Sequence, residues 1–172
     1  MAGGIVSAVI SPSSPQWEPD PTGQRLAMIR ASRRGAVFSA VLFAPVVWAA
    51  TRMTPPEGFG TPEGAGIWAL IMSLPGLALL GAALTPAAIG SRASAASAGL
   101  AMGVGAPVAA VVSAMIAVYL FAALLKGLDP AGIAAGMVLR DGVIAAVRIA
   151  PLIAAASTLW VVAVRRWAAP RT

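Results

Sequence analysis

Apolar residues in this chain do not alternate or recur on one helical face. They fill four long stretches, broken by short segments rich in Pro, Gly and charge. A bilayer's hydrocarbon core of ~30 Å takes about 20 helical residues. Each stretch approaches or exceeds that length, so the pattern predicts an all-α integral membrane protein with four transmembrane helices and short loops. The first span runs over 35–51, between Arg33-Arg34 and Arg52. The second covers 66–84 and should stop before Thr85-Pro86, because a proline disfavours helix at the residue before it. The third, 100–125, contains no charge, and the fourth, 142–164, contains one, Arg148, and ends at Arg165-Arg166.

The connections are too short to hold a domain. Residues 54–65 carry Pro55, Pro56, Gly58, Gly60, Pro62 and Gly64, a turn-forming composition. Residues 85–99 are rich in Ser and Ala. In 126–141, Asp129-Pro130 reads as an N-cap followed by a first-turn proline, which predicts a short helix over 130–139 leading into the fourth span. Residues 1–34 form a cytoplasmic arm with an interfacial segment. Its part 11–23 has four prolines, and Arg25 to Arg34 reads as a basic amphipathic lead-in lying at the interface. Residues 167–172 are a cytoplasmic tail. Ser32-Arg33-Arg34 ahead of an apolar run invites a twin-arginine reading, but Gly35-Ala36-Val37-Phe38 departs from that pattern. Met1 to Ile10 lacks the basic start of a secretory signal.

Composition agrees with this pattern. Of the 172 residues 59% are hydrophobic and 10% charged, with a net charge of +6, against about a quarter charged in soluble domains. Basic residues set orientation when loops are short. With both termini cytoplasmic, Arg25, Arg30, Arg33, Arg34, Arg92, Arg165, Arg166 and Arg171 lie inside, and Arg52, Lys126, Arg140 and Arg148 lie outside. Glu57, Glu63, Asp129 and Asp141 join the outer group and neutralise it. Trp48 and Trp68 would then anchor the outer interface and Trp167 the inner one. The basic inner face is explained by topology and anionic lipid, with no nucleic acid needed. Eleven of the twelve basic residues are Arg, a bias that suggests a bacterium and hence its inner membrane.

Cys and His are both absent, which removes disulfides, thiolate chemistry, the commonest general base and the usual haem ligand. No cofactor is expected through those residues, whereas bound lipid is. The six carboxylates form no mid-span pair, and no nucleophile elbow, zinc helix or phosphate loop occurs, so the chain is read as not an enzyme. Helices in lipid associate through close backbone approach at small residues. Gly105, Ala109, Ser113 and Ala117 mark one such face in the third span. Gly142, Ala146, Ala150 and Ala154 mark another in the fourth. Arg148, about two turns inside the fourth span, is expected to snorkel to lipid headgroups or to contact a neighbouring helix or subunit. The polar content is too small for a lined aqueous path. We therefore expect a non-catalytic accessory or scaffold subunit of a larger inner-membrane complex, with membrane lipids and other membrane subunits as partners. A small oligomeric transporter or channel is the alternative.

Overall fold

The computed structural model describes residues 21–53, 61–124, 129–133 and 138–169; the arm 1–20, with Trp17, lies outside them. The elements are α1 (Pro21–Met53), α2 (Pro62–Ile89), α3 (Arg92–Leu124), α4 (Pro130–Ile133), α5 (Asp141–Arg148) and α6 (Ala150–Ala163), with a wider π-helical turn over Val164–Ala168. Among the described residues all of these elements are helical. Four stretches are long and apolar enough to span a membrane: Thr22–Met53, Glu63–Ile89, Arg92–Leu124 and Pro130–Arg148. The last of these runs partly outside the described residues.

Several boundaries differ from the sequence expectation. The basic lead-in and the first span form one helix of 33 residues, about 50 Å long at 1.5 Å per residue, with no break at Gly35. Thr61 caps α2, its hydroxyl accepting from the Gly64 N–H at 3.1 Å. Pro62 follows at the first helical position, so Pro62 and Gly64 belong to the helix. At the other end α2 continues through Pro86 to Ile89. Pro86 lacks the N–H that would have served Ala82, while the Thr85 hydroxyl turns back to donate to the Gly81 carbonyl at 2.7 Å, holding the turn together. Only Gly90 and Ser91 separate α2 from α3. The Ser91 hydroxyl accepts from the Ser94 N–H at 3.3 Å, so most of the expected loop 85–99 is helix.

The expected fourth span, 142–164, is divided at Ile149, where φ is −100° and ψ is 13°. Pro151 accounts for the break. It offers no N–H to the Val147 carbonyl, and its ring crowds that carbonyl. The chain passes the gap with a tighter bond, from the Leu152 N–H to the Ile149 carbonyl at 2.9 Å.

α1, α2, α3 and the α5–α6 run make an up-down-up-down ring in which neighbours are antiparallel. Gly35 lies beside Thr85, and Trp48 beside Gly66; Leu80 lies beside Gly105, and Val161 beside Gly99. Arg34 and Trp167 close the ring between α1 and the end of the fourth run, Arg34 Nη1 donating to the Trp167 carbonyl at 2.9 Å. The core contains Phe43, Leu77, Met102, Ile153, Trp160 and Val164.

α1 and α2 approach each other closely at two glycines. A Cβ on Gly35 would collide with the Thr85 hydroxyl, and one on Gly81 with Ser39 Cβ while lying 2.8 Å from the Gly35 carbonyl oxygen. The Ser39 hydroxyl donates to the Leu77 carbonyl at 2.7 Å, and Trp160 Nε1 donates to the Gly35 carbonyl at 3.0 Å. Gly35→Ala or Gly81→Ala should thus destabilise the bundle by about 1–3 kcal/mol through overpacking. Gly103→Ala should be tolerated, because its nearest new contact is 3.5 Å from the Ser157 hydroxyl. Thermal or denaturant unfolding in detergent, followed by circular dichroism, measures the difference; equal stability of all three variants would contradict the seam.

Candidate functional site

Three features combine helix contact with polar chemistry: the α2–α3 seam, the α3–α6 groove and the two charged ends. At the seam, Pro75 interrupts α2 from within. The Ser113 hydroxyl of α3 answers it, donating to the Met72 carbonyl at 2.6 Å and accepting from the Gly76 N–H at 3.2 Å. These two groups face one another across one turn of α2, so a single hydroxyl serves both sides of the disturbed ladder. The approach needs a glycine, since a Cβ on Gly76 would meet the Ala109 carbonyl oxygen. Gly105 lies against Leu80, 3.2 Å from where its Cβ would be. Thus Gly105, Ala109 and Ser113 lie together along α2, and Ala117 continues the line as a half-buried residue.

The four residues singled out in the fourth run are placed differently. Gly142 lies against Val111 and Ala146 is half-buried, whereas Ala150 and Ala154 are exposed. The inward face carries Ala145, Ile149, Ile153, Ala156 and Trp160 instead. Ala150 and Ala154 line a surface groove of about 1040 Å³ between α3 and the fourth run. A second pocket of about 520 Å³, also open to the outside, lies among α1, α2, α3 and α5. Phe43, Trp68, Met72 and Phe121 contribute to its wall, and Asp141 stands at its rim. Pro107, Gly142 and Ala146 border both spaces.

Arg148 ends α5 and donates from Nη1 to the Met53 carbonyl at 3.2 Å, which is the last residue of α1. A cation at a helix C-terminus satisfies an orphan carbonyl and meets the negative end of the dipole. Asp141 instead pairs with Arg140 at 3.0 Å. Trp48 packs its ring on Gly66, 2.6 Å from the position of a Cβ there, with the Arg52 guanidinium 5.4 Å from the ring centre. Trp68 meets Phe121 edge to face at 5.2 Å. Trp167 lies 6.1 Å from Phe38 and 5.6 Å from the Arg166 guanidinium. All three tryptophans therefore make contacts between or along helices.

The ends differ in charge. Arg25, Arg30, Arg33, Arg34, Arg92, Arg165 and Arg166 belong to the end where α1 begins and α2 ends. Both ion pairs among the described residues, Arg52–Glu63 at 2.9 Å and Arg140–Asp141, belong to the other. The buried polar residues in between are Ser39, Thr51, Ser73, Thr85 and Ser157. Among the described residues every buried side-chain nitrogen and oxygen has a hydrogen-bond partner. Sequence reasoning passed over Trp160, the largest fully buried side chain. It also passed over the Gly35, Ser39, Gly81 and Thr85 contact, whose four-residue spacings were its available signal. No family model, curated protein or solved structure matches the chain.

The two faces predict different responses to bulk. Ala109→Leu places three carbons where α2 and α3 touch and should cost about 1–3 kcal/mol. Ala150→Leu points into open groove and should change stability by less than about 0.5 kcal/mol. Ser113→Ala should cost about 1 kcal/mol, the scale of one interhelical hydroxyl bond in a membrane protein. Unfolding in detergent measures all three; an unperturbed Ala109→Leu variant would remove the seam.

Proposed function

We propose that the chain is a multi-pass protein of a bacterial inner membrane, both termini cytoplasmic, acting as a non-catalytic accessory or scaffold subunit of a larger membrane complex. The observation that carries this reading is an inversion of size. Among the described residues eleven of the twenty buried apolar side chains are alanine, while Leu79, Leu100, Val104, Val108, Ile116, Leu120 and Leu124 are exposed. In water that arrangement would expose a large apolar surface, well beyond the few hundred Å² usual for a soluble monomer. In lipid it is the expected one, since small residues let helices approach and large ones meet acyl chains.

Two further observations support the subunit role. The interior hydroxyls are engaged within the protein: Ser39, Thr85 and Ser157 all donate to backbone carbonyls. That leaves them structural rather than reactive. The concentration at one end of arginines that form no ion pair among the described residues supports the inside orientation, by the same charge asymmetry that operates during insertion. A small transporter or channel is favoured only by the second pocket, whose wall is apolar apart from Thr51, Ser73 and the rim carboxylate of Asp141. A hydrated path needs more polar lining than that.

Extraction from native membranes in mild detergent should yield a stoichiometric co-purifying membrane chain. Liposomes containing the purified protein alone should show no solute or ion flux above protein-free liposomes. Flux abolished by substitution at Ser73 or Asp141 would establish the transporter instead. For orientation, a reporter enzyme active only outside the cytoplasm should work when fused at Glu57 and fail at Thr172. The opposite pattern would reject the N-in/C-in assignment.

A further inference from the structure

We infer that the α3–α6 groove is a binding site for one anionic diacyl phospholipid of the leaflet at the arginine-rich end, its phosphate held by Arg92 and Arg165. The inference rests on the membrane reading above but needs no partner subunit. Between its arginines and its far end the groove is lined by apolar side chains apart from Ser157 and Thr158, and its volume of about 1040 Å³ is just above the roughly 300–1,000 Å³ range of small-molecule pockets. Its two walls reach the basic end together, and the side chains that border it there are Arg92 and Arg165.

Charge selects the ligand. Both arginines are exposed, and neither forms an ion pair among the described residues. Arg165 makes one long bond, Nη2 donating to the Gly90 carbonyl at 3.5 Å, which leaves most of its donors unused. A guanidinium has five N–H donors in a fork suited to phosphate oxygens. Two of them at one groove mouth complement a phosphodiester and repel a cationic headgroup.

Depth selects the ligand as well. From Arg92 to Gly103 on α3, and from Arg165 to Ala154 on the fourth run, the separation is eleven residues. Each corresponds to about 16 Å of rise, one leaflet of a ~30 Å hydrocarbon core. A headgroup on the arginines thus places acyl chains along Gly99, Gly103 and Ala154. Gly99 and Gly103 present no side chain, and the helices meet beneath them, Val161 and Ser157 lying 3.2 and 3.5 Å from where their Cβ atoms would be. That floor is smooth and shallow, suited to a thin flexible chain. A transmembrane helix of about 10 Å diameter seated here would need carboxylates of its own to face the two arginines.

The test is native mass spectrometry of the full chain, delipidated in detergent and titrated with phosphatidylglycerol or phosphatidylcholine. The wild type should retain one phosphatidylglycerol in preference to phosphatidylcholine. The Arg92→Gln/Arg165→Gln double variant should weaken that retention about ten- to thirtyfold, the effect of two arginines on an anionic headgroup. Arg25→Gln/Arg30→Gln removes equal charge from the same end away from the groove and should change it less than about twofold. Ala154→Phe, which fills the tail region and leaves both arginines in place, should also abolish the single tight adduct. Equal losses in the two double variants would overturn the site in favour of diffuse attraction by the basic end, as would equal retention of the two lipids. A photo-crosslinking residue at Val104 that captures a protein chain from native membranes and no lipid would overturn it in favour of a docked helix. Resistance of every variant to carbonate extraction reads membrane integration separately, so loss of the lipid site and loss of the membrane reading give different results.

Discussion

The bundle depends on how closely α1 and α2 approach each other. At Gly35 and Gly81 neither helix has a side chain to hold the other away, and the backbones meet near enough for Ser39 to reach the Leu77 carbonyl across the interface. A Cβ at Gly81 meets the Ser39 β-carbon and the Gly35 carbonyl, groups that cannot swing aside, and one at Gly35 meets the Thr85 hydroxyl, which could turn away only by giving up its bond to the Gly81 carbonyl. That contact also fixes the fourth run, because the Gly35 carbonyl receives the indole N–H of Trp160. If α1 and α2 separate, Gly35 moves and Trp160 loses its partner within an apolar interior, where an unpaired donor costs about 1–3 kcal/mol. Three of the four spans are therefore coupled at one glycine.

Proline sets the second constraint, and the protein meets it in two ways. Beside Pro75 the Ser113 hydroxyl bonds the Met72 carbonyl and the Gly76 N–H, the pair next to the one the proline removes, so the interruption carries an interhelical tie. At Pro151 no side chain from another helix intervenes among the described contacts. The backbone breaks at Ile149, yet α6 keeps the same inward face, Ala145 and Ile149 being followed by Ile153, Ala156 and Trp160. Moving from the Val111–Gly142 contact to the Gly103–Ser157 contact covers eight residues of α3 but fifteen of the fourth run. The unequal path bows the fourth run away from α3 beside Pro107. The surface groove and the second pocket both lie along that bow, sharing Pro107 and Ala146 in their walls.

These two mechanisms explain what could be read from the sequence. The existence of four long apolar segments was legible because hydropathy over twenty residues needs no knowledge of packing. The Gly105, Ala109 and Ser113 face was legible because α3 runs unbroken through Pro107, so four-residue spacing keeps one side. The same reasoning failed to place Ala150 and Ala154, since each follows a buried residue, Ile149 or Ile153, and so lies about 100° round the helix from the inward face; four-residue spacing finds a shared face without saying which way it points. The α1–α2 contact was hidden by the expected span limits. Beginning the first span at Gly35 and ending the second at Leu84 put Gly35 and Thr85 at margins, where packing is not sought. Prolines were treated as ends at Pro62 and Pro86, although one opens a helix behind a Thr61 cap and the other is carried by the Thr85 hydroxyl. Trp160 was obscured by the habit of assigning tryptophan to interfaces; its N–H is satisfied deep inside by a carbonyl that only the tertiary structure supplies.

The interior closure also determines where the chain can interact with anything else. Ser39, Thr85, Ser113 and Ser157 all spend their donors on backbone carbonyls. Alanine fills much of the remaining contact surface and adds only dispersion. A bundle built this way has little capacity to recognise polar groups in its middle. Recognition passes to the ends and the outer face, where the side chains are large or charged. One end balances its charge internally through Arg52–Glu63 and Arg140–Asp141 and uses Arg148 to finish α1. The other end keeps its arginines largely unspent, on helices whose outer surfaces are leucine, valine and isoleucine. The asymmetry therefore goes beyond orientation, because the donors still available to an external group are concentrated beside the groove that Pro107 and Pro151 open.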